Sequence, residues 1–320
     1  MTVLSVLDIG LALLVLAVAG WTVMTRSTFA AVVGFVIYGL LLSLVWARLA
    51  ALDVAITEAA IGSGVSGLLL IGAAVRLRRL GTSDLAGQVG GISRLLAAVL
   101  SLLVTAALAA VFLSVEGQGP SLAPEAAKHL PQFGLGNPIT AVLMAYRSVD
   151  TMLEKVVLIL AVIGVWSLAP DSAWGGAPAG LSPSDPDPAL IYLARVLPPF
   201  GIVVAIYIAW VGASEPGGAF QGGALLAAMV LVVLLARLVD APEIGRLWLR
   251  LAIVSGPVTF LAVGLLGFAI ASGFLAYPPA YAKALILFIE AFMVLSIAAM
   301  LPLLVVGPPR LPPVGLGRTQ

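Results

Sequence analysis

Long apolar runs alternate with short polar stretches along the whole chain. Nine runs approach or exceed the roughly 20 mostly apolar residues that a helix needs to cross a bilayer. They cover 3–24, 28–47, 53–75, 95–115, 149–169, 189–213, 219–237, 251–274 and 282–306. The runs are long and unbroken, unlike the short alternating segments of a membrane β-barrel. The pattern therefore predicts an all-α, polytopic membrane helix bundle of about nine transmembrane helices. The first run has no basic leader and carries Asp8. It reads as a retained helix, with Asp8 at its boundary, rather than as a cleaved signal peptide.

Composition supports the membrane reading. Of 320 residues, 62% are hydrophobic and 10% are charged. A soluble domain is about 25% charged, so this chain lacks the polar surface that water contact demands. Lys plus Arg is 16 and Asp plus Glu is 15. That balance points neither to nucleic acid nor to an acidic partner-binding tail. The absence of cysteine excludes disulfides, iron–sulfur ligation and thiolate nucleophiles from this chain. The single histidine, His129, excludes paired-histidine haem and histidine-rich metal sites within it. No cofactor and no metal is expected here; a redox centre would sit on another polypeptide.

Basic residues set the expected orientation. Arg26, then Arg76, Arg78, Arg79 and Arg94, then Arg237, Arg246 and Arg250, and finally Arg310 and Arg318 all fall on one side of a nine-span chain. The other side has mainly Arg48, Lys128 and Lys283. The N-terminus is expected outside and the C-terminus in the cytoplasm, in the cell (inner) membrane. Residues 170–188 (PDSAWGGAPAGLSPSDPDP) have the composition of a linker. They separate five runs from four. A weaker break, also rich in turn formers, falls at 116–137. The chain thus reads as two or three membrane modules, with no internal repeat at a fixed period.

A few charges lie where charge is costly. Asp53 and Glu58 fall in the first third of the third run, Glu154 and Lys155 open the fifth behind Arg147 and Asp150, and Glu290 lies about two turns into the ninth. An Asp at a helix centre costs roughly 2.5–3.5 kcal/mol on insertion scales. Such residues must face protein or water, as part of a proton or cation pathway or in pairing between helices. Glu290 favours the pathway, since only apolar residues separate it from Lys283. Asp53 and Glu58 differ by about 140° around a helix and do not form a pair on one face. If 147–155 is continuous helix, Arg147, Asp150 and Glu154 share one stripe. Arg147 would then pair with Asp150 and leave Glu154 free to titrate. His129, in the Pro-flanked stretch AAKHLPQF, reads as an exposed loop residue.

Small residues complete the pattern. Gly62, Gly64 and Gly67 in the third run allow close helix contact or a local distortion. The stretch SEPGGAFQGG, 214–223, holds four glycines and a proline between two runs. It lacks the preceding strand and following Lys-Ser/Thr of a phosphate loop. It reads instead as a short re-entrant or kinked helix start packed against its neighbours.

These stretches resemble a known family. LDVAITEAAIGSGVSGLLLIGA, 52–73, is similar to the third-helix motif of the small membrane subunits shared by Mrp-type Na+/H+ antiporters and membrane-bound hydrogenases. There it belongs to the C-terminal part of Mrp A, or to the hydrogenase D chain. NPITAVLMAYRSVDTMLEKVVLILAVIGV, 137–165, resembles the following module, the hydrogenase E chain or the end of Mrp A. YLARVLPPFGIVVAIYIAWVGASEPGGAFQGGALLAA, 192–228, looks like Mrp B (Mnh B). The resemblance implies a fusion: a hydrogenase D-like module over 1–90, an E-like module over 91–169, the linker 170–188, a Mnh B-like module over 189–310 and a tail over 311–320. Asp53 and Glu58 match the first motif. Arg147, Asp150, Thr151 and Glu154 match the second. Pro216, Gly217, Gly218, Phe220, Gln221, Gly222 and Gly223 match the third, and Glu290 fits a last-helix glutamate of that module. Ala219 stands where many relatives have glycine. Lys155 stands where relatives often have an apolar or small residue, and a lysine there could pair with Glu154 and lower its affinity for protons.

The implied function is that of an integral membrane subunit of a multisubunit Na+/H+ antiporter complex, not an enzyme in itself. Its partners would be the other subunits, the lipid bilayer, and Na+ and H+ as transported ions, with no nucleic acid. The ion-path candidates are Asp53, Glu58, Arg147, Asp150, Glu154, Lys155 and Glu290. Two other readings stay open. One is an accessory subunit of a related redox-driven or other ion-coupled complex, of the membrane-bound hydrogenase type or for inorganic-carbon uptake. The other is a pure scaffold whose buried ion pairs only give specificity.

Overall fold

The computed structural model describes residues 3–79, 90–115, 121–178 and 186–310. Among these, twelve α-helices account for the apolar runs. They are α1 (Val3–Met24), α2 (Thr28–Arg48), α3 (Leu52–Thr57), α4 (Ser66–Arg79), α5 (Gly91–Ser114), α6 (Ala123–Phe133), α7 (Pro138–Ala141), α8 (Ser148–Trp166), α9 (Pro188–Val211), α10 (Ala219–Leu235), α11 (Leu247–Ile270) and α12 (Ala282–Val306). π-helical turns over Glu58–Val65 and Val142–Tyr146 join α3 to α4 and extend α7. Each of the nine expected runs is helical over most of its length, and the chain is a multi-pass membrane protein.

Among the described residues, seven helical spans are long and apolar enough to cross a membrane. The other two expected spans differ from that standard. α10 has 17 residues, and α8 opens on charged side chains. The third run is one span made of α3, the π turn and α4, so the distortion allowed by its glycines is a wide turn within a continuous helix.

The core lies in the C-terminal half. α10 packs on α9 and α12, and α11 packs on α12. α12 is the central helix, with half of its most apolar window buried. Gly223 makes that packing close: a side chain there would run into Ile297 and the Val294 carbonyl of α12. α8 lies against α11 and α12, where Val162 and Trp166 join Ile244, Leu249, Ile253, Met300 and Leu303 in one apolar cluster. α1 and α2 form a hairpin, tied at one end by Arg48 Nε to Asp8 Oδ1 at 2.8 Å. Asp8 is therefore an ion-pair partner and not only a boundary residue. The π turn of the third span then packs α2 on one side and α10 on the other. α5, in contrast, is exposed along its whole length.

Two stretches expected to be irregular are more ordered. The break at 116–137 contains α6, so His129 sits on a helix, 3.7 Å from Glu125 and 3.2 Å from Gln132. Tyr146 Oη donates to Ala126 O at 2.7 Å and ties this helix to the second π turn. The first part of the linker is also held in place. Ile244 and Gly245 donate backbone bonds to Gly176 and Gly175, and Arg310 donates to Ala177. Pro-rich composition correctly signals that no helix continues there, but it cannot show that loop backbone finds partners. The 175–177, 244–245 and 310 segments meet at one end of the bundle. Residues 136–137, 213–215 and 283 meet at the other. The later residues of the linker, 179–185, and the tail 311–320 with Arg318 lie outside the described residues.

Candidate functional site

The three motif stretches converge. The start of the third span, the start of α8, the 214–223 run and the first half of α12 line an open-mouthed cavity of about 230 Å³. Asp53, Glu154, Lys155 and Glu290 line it, with Thr57, Thr140, Thr151, Gln221 and the backbone of Gly217 and Gly218. These residues are far apart in sequence, and helix packing alone brings them together.

Backbone geometry builds one wall. α9 ends at Val211 and the chain turns back into α10 through Gly217 and Gly218, with φ of +150° and +132°. Those values suit glycine. At Gly218 a side chain would also approach Glu290 Oε1 and Gln221 Oε1. The turn leaves the first N–H groups of α10 without partners in their own helix. Glu290 lines the cavity beside Gly218 and Ala219, at this helix start. A carboxylate at a helix N-terminus is favoured by the partial positive charge there. Glu290 Oε2 is buried and has no hydrogen-bond partner. Glu290 itself is 5% exposed.

Asp53 locks the turn from the opposite side. Its Oδ1 accepts from Gly217 N at 2.9 Å, and Asn137 Nδ2 approaches both carboxylate oxygens at 3.4 and 3.5 Å. Asn137 is a three-way junction. Its amide also donates to Glu215 O at 3.0 Å, while its Oδ1 accepts from Ile139 N at 2.8 Å and so caps α7. Thr140 Oγ1 donates to Gly212 O at 2.6 Å. Gln221 Nε2 donates to Thr57 Oγ1 at 3.1 Å. Sequence reasoning does not single out Asn137, Thr57 or Thr140 as site residues. The Asn-Pro pair ahead of an apolar run does signal a helix cap, but its bonds to Asp53 and Glu215 are tertiary.

α8 supplies the third wall. The helix is interrupted at Arg147, whose φ and ψ of −130° and 37° are not helical. Arg147 pairs with Asp150 at 2.5 Å, on an exposed surface away from the cavity. Glu154 is not left free. Lys155 Nζ donates to its Oε1 at 3.1 Å, so the expectation of an unpaired titratable glutamate is corrected. Lys155 is 1% exposed, and its ammonium also lies 4.3 Å from the centre of the Phe220 ring. Glu154 has a side chain 51% exposed, so it bridges the cavity lysine to the outer face of the helix. Thr151 Oγ1 donates to Leu143 O at 2.7 Å and joins α8 to the π turn.

Glu58 lies elsewhere. Its carboxylate folds over Gly62 and faces Gly39 of α2, where the buried Ser63 hydroxyl also points. Gly62 and Gly39 leave room for the two side chains. Gly67 lets Val36 of α2 approach, and Gly64 abuts the Ala59 carbonyl. Of the seven ion-path candidates, the structure brings four to one cavity and places Arg147, Asp150 and Glu58 outside it. No group of three or more His, Cys, Asp or Glu side chains placed to hold a metal ion occurs among the described residues.

This arrangement belongs to a multi-helix membrane protein. Residues 13–79 match the family model of MbhD, the D chain of MBH, and residues 189–307 match a domain related to the MnhB subunit of the Na+/H+ antiporter. One polypeptide thus matches the MbhD model in its first part and the MnhB-related model in its last. In overall fold it is similar to a chain of the Mrp complex from Dietzia sp. DQ12-45-1b, with a TM-score of 0.72 and 21% identity over 93% of this chain. It spans about a third of that chain's length, 34%. It is also similar to a chain of the membrane-bound sulfane sulfur reductase, an archaeal respiratory membrane complex. There the TM-score is 0.54 and the identity 25%, over 67% of this chain and 97% of that one. The comparison with curated proteins gives no match.

Proposed function

We propose that the chain is an integral membrane subunit of an Mrp-type monovalent cation/proton antiporter complex, and that the cavity is a stretch of its ion path. The observation that carries this reading is Glu290. Its carboxylate is buried two turns into an apolar helix, lines the cavity, and has one oxygen with no hydrogen-bond partner. A buried group with one open acceptor costs free energy unless it is used or hydrated. The cavity also joins the first and last modules through Asp53 and Gly217, as a subunit that couples its neighbours requires. Residues 91–169 are assigned to a hydrogenase E-like module between them. The partners are the other membrane subunits of the assembly, with Na+ and H+ as the exchanged ions. The bundle end bearing Arg237, Arg246 and Arg310 faces the cytoplasm, by the excess of basic residues there.

Glu290→Gln keeps shape and removes the charge. The full complex carrying it is expected to assemble and to lose most Na+-driven ΔpH dissipation in everted vesicles. Wild-type exchange in this variant overturns the ion-path role. A second reading, an accessory subunit of a redox-driven complex, draws on the likeness to the sulfane sulfur reductase chain. Iron–sulfur clusters in the copurified assembly would favour it.

A further inference from the structure

We propose that this cavity conducts protons and excludes Na+, because the ammonium of Lys155 holds the place a metal cation would take. The inference rests on the ion-path reading and names the ion. The cavity's charged side chains are Asp53, Glu154, Lys155 and Glu290. A monovalent cation would seek carboxylate oxygens and the face of an aromatic ring. Lys155 already occupies both, at 3.1 Å from Glu154 and 4.3 Å from the Phe220 ring centre. Being 1% exposed, it cannot swing out into water without opening the helix contact.

The remaining oxygens do not form a cation shell. Both oxygens of Asp53 face N–H donors from Gly217 and Asn137. Donors point positive hydrogens at the carboxylate and compete directly with a bound cation. Glu290 has one oxygen without a hydrogen-bond partner. A hard metal cation takes about six oxygen ligands, whereas a proton needs one lone pair. The Glu290 carboxylate, at the cavity wall, offers that one acceptor. Thr57, Thr151 and Gln221 at the cavity edge are hydrogen-bonding side chains that suit water or a proton relay.

The test uses dicyclohexylcarbodiimide, which modifies protonated buried carboxyls, on the full chain in native membranes. Modification of Glu290 is quantified by mass spectrometry across pH, with and without saturating Na+. The expected result is labelling that falls as pH rises and does not respond to Na+. Lys155→Met should acquire Na+ protection, with labelling several-fold lower in Na+ than in its absence, and Lys155→Arg should behave as wild type. Na+ protection of the wild-type residue overturns the inference, as does an absence of labelling at every pH. An assembled Lys155→Met variant that stays insensitive to Na+ overturns the role given to the lysine. If Lys155→Met does not assemble, the wild-type measurement decides alone. The outcomes separate from those of the exchange assay: Na+ protection together with lost exchange in Glu290→Gln rejects the proton assignment and leaves the ion path standing.

Discussion

Asp53 shows how one side chain can tie together segments distant in sequence. Its carboxylate fixes the Gly217 turn and meets the Asn137 amide. Hydrogen bonds to a charged acceptor are worth about 1.5–3 kcal/mol each, and here the acceptor serves two segments more than 80 residues away in sequence. Asp53→Asn keeps the size and loses the charge. The 214–218 turn should loosen, seen as faster amide exchange at Gly217, and ion exchange should fall with it. An unchanged exchange rate at Gly217 would mean that the turn is held by its own backbone. Asp53, Glu154 and Glu290 are all conspicuous in the sequence as charges in apolar runs. Their division of labour is not, because it depends on which donor each one meets.

At the scale of elements, the close pair is α10 and α12. Ala224, Ala227 and Gly223 let α10 approach Ile297 and Leu301 of α12, and this approach sets the α10 N-terminus against Glu290. In a membrane, helix association relies on such close packing of small residues. Gly223→Leu would force the helices apart, at a cost of about 1–3 kcal/mol from overpacking. The expected outcome is a lower unfolding temperature in detergent and a displaced Glu290. A variant with the wild-type unfolding temperature would show that α10 can shift without strain. The glycine run at 214–223 announces a tight element junction. It does not announce that α12 is the helix pressed against it. The broken helix at Arg147 is equally hidden, since residues 147–155 satisfy helical spacing although Arg147 itself leaves the helix.

For the whole molecule, the decisive feature is the sorting of loops. Backbone bonds gather Gly175, Gly176, Ala177, Ile244, Gly245 and Arg310 at one end, and Gly136, Asn137 and Ala213 at the other. This sorting matches an alternating path through the bilayer. The chain has no cysteine, so single cysteines report position without background. Ser121→Cys is expected to react with an impermeant maleimide from outside intact cells. Asp240→Cys is expected to react only in inverted vesicles. The reverse pattern would turn the protein over in the membrane. The exposed α5 shows that packing within this chain is incomplete: its apolar surface must be covered by lipid or by another polypeptide.

The sequence by itself determined the class of fold. Unbroken apolar runs of bilayer length call for helices, not the short alternating strands of a barrel, to satisfy the backbone inside a membrane, and basic residues at the run ends predict an orientation. It also determined which stretches carry chemistry, since charge and glycine stand out against an apolar background. Tertiary structure decided the site. It separated Glu58 from Asp53, gave Glu154 its lysine partner, and brought Asp53, Lys155 and Glu290 to one cavity from three stretches distant in sequence. The physical reason is that hydropathy is a property of each segment alone. The partner of a buried charge is a property of how segments pack, and that depends on small-residue contacts and backbone turns that act between helices distant in sequence.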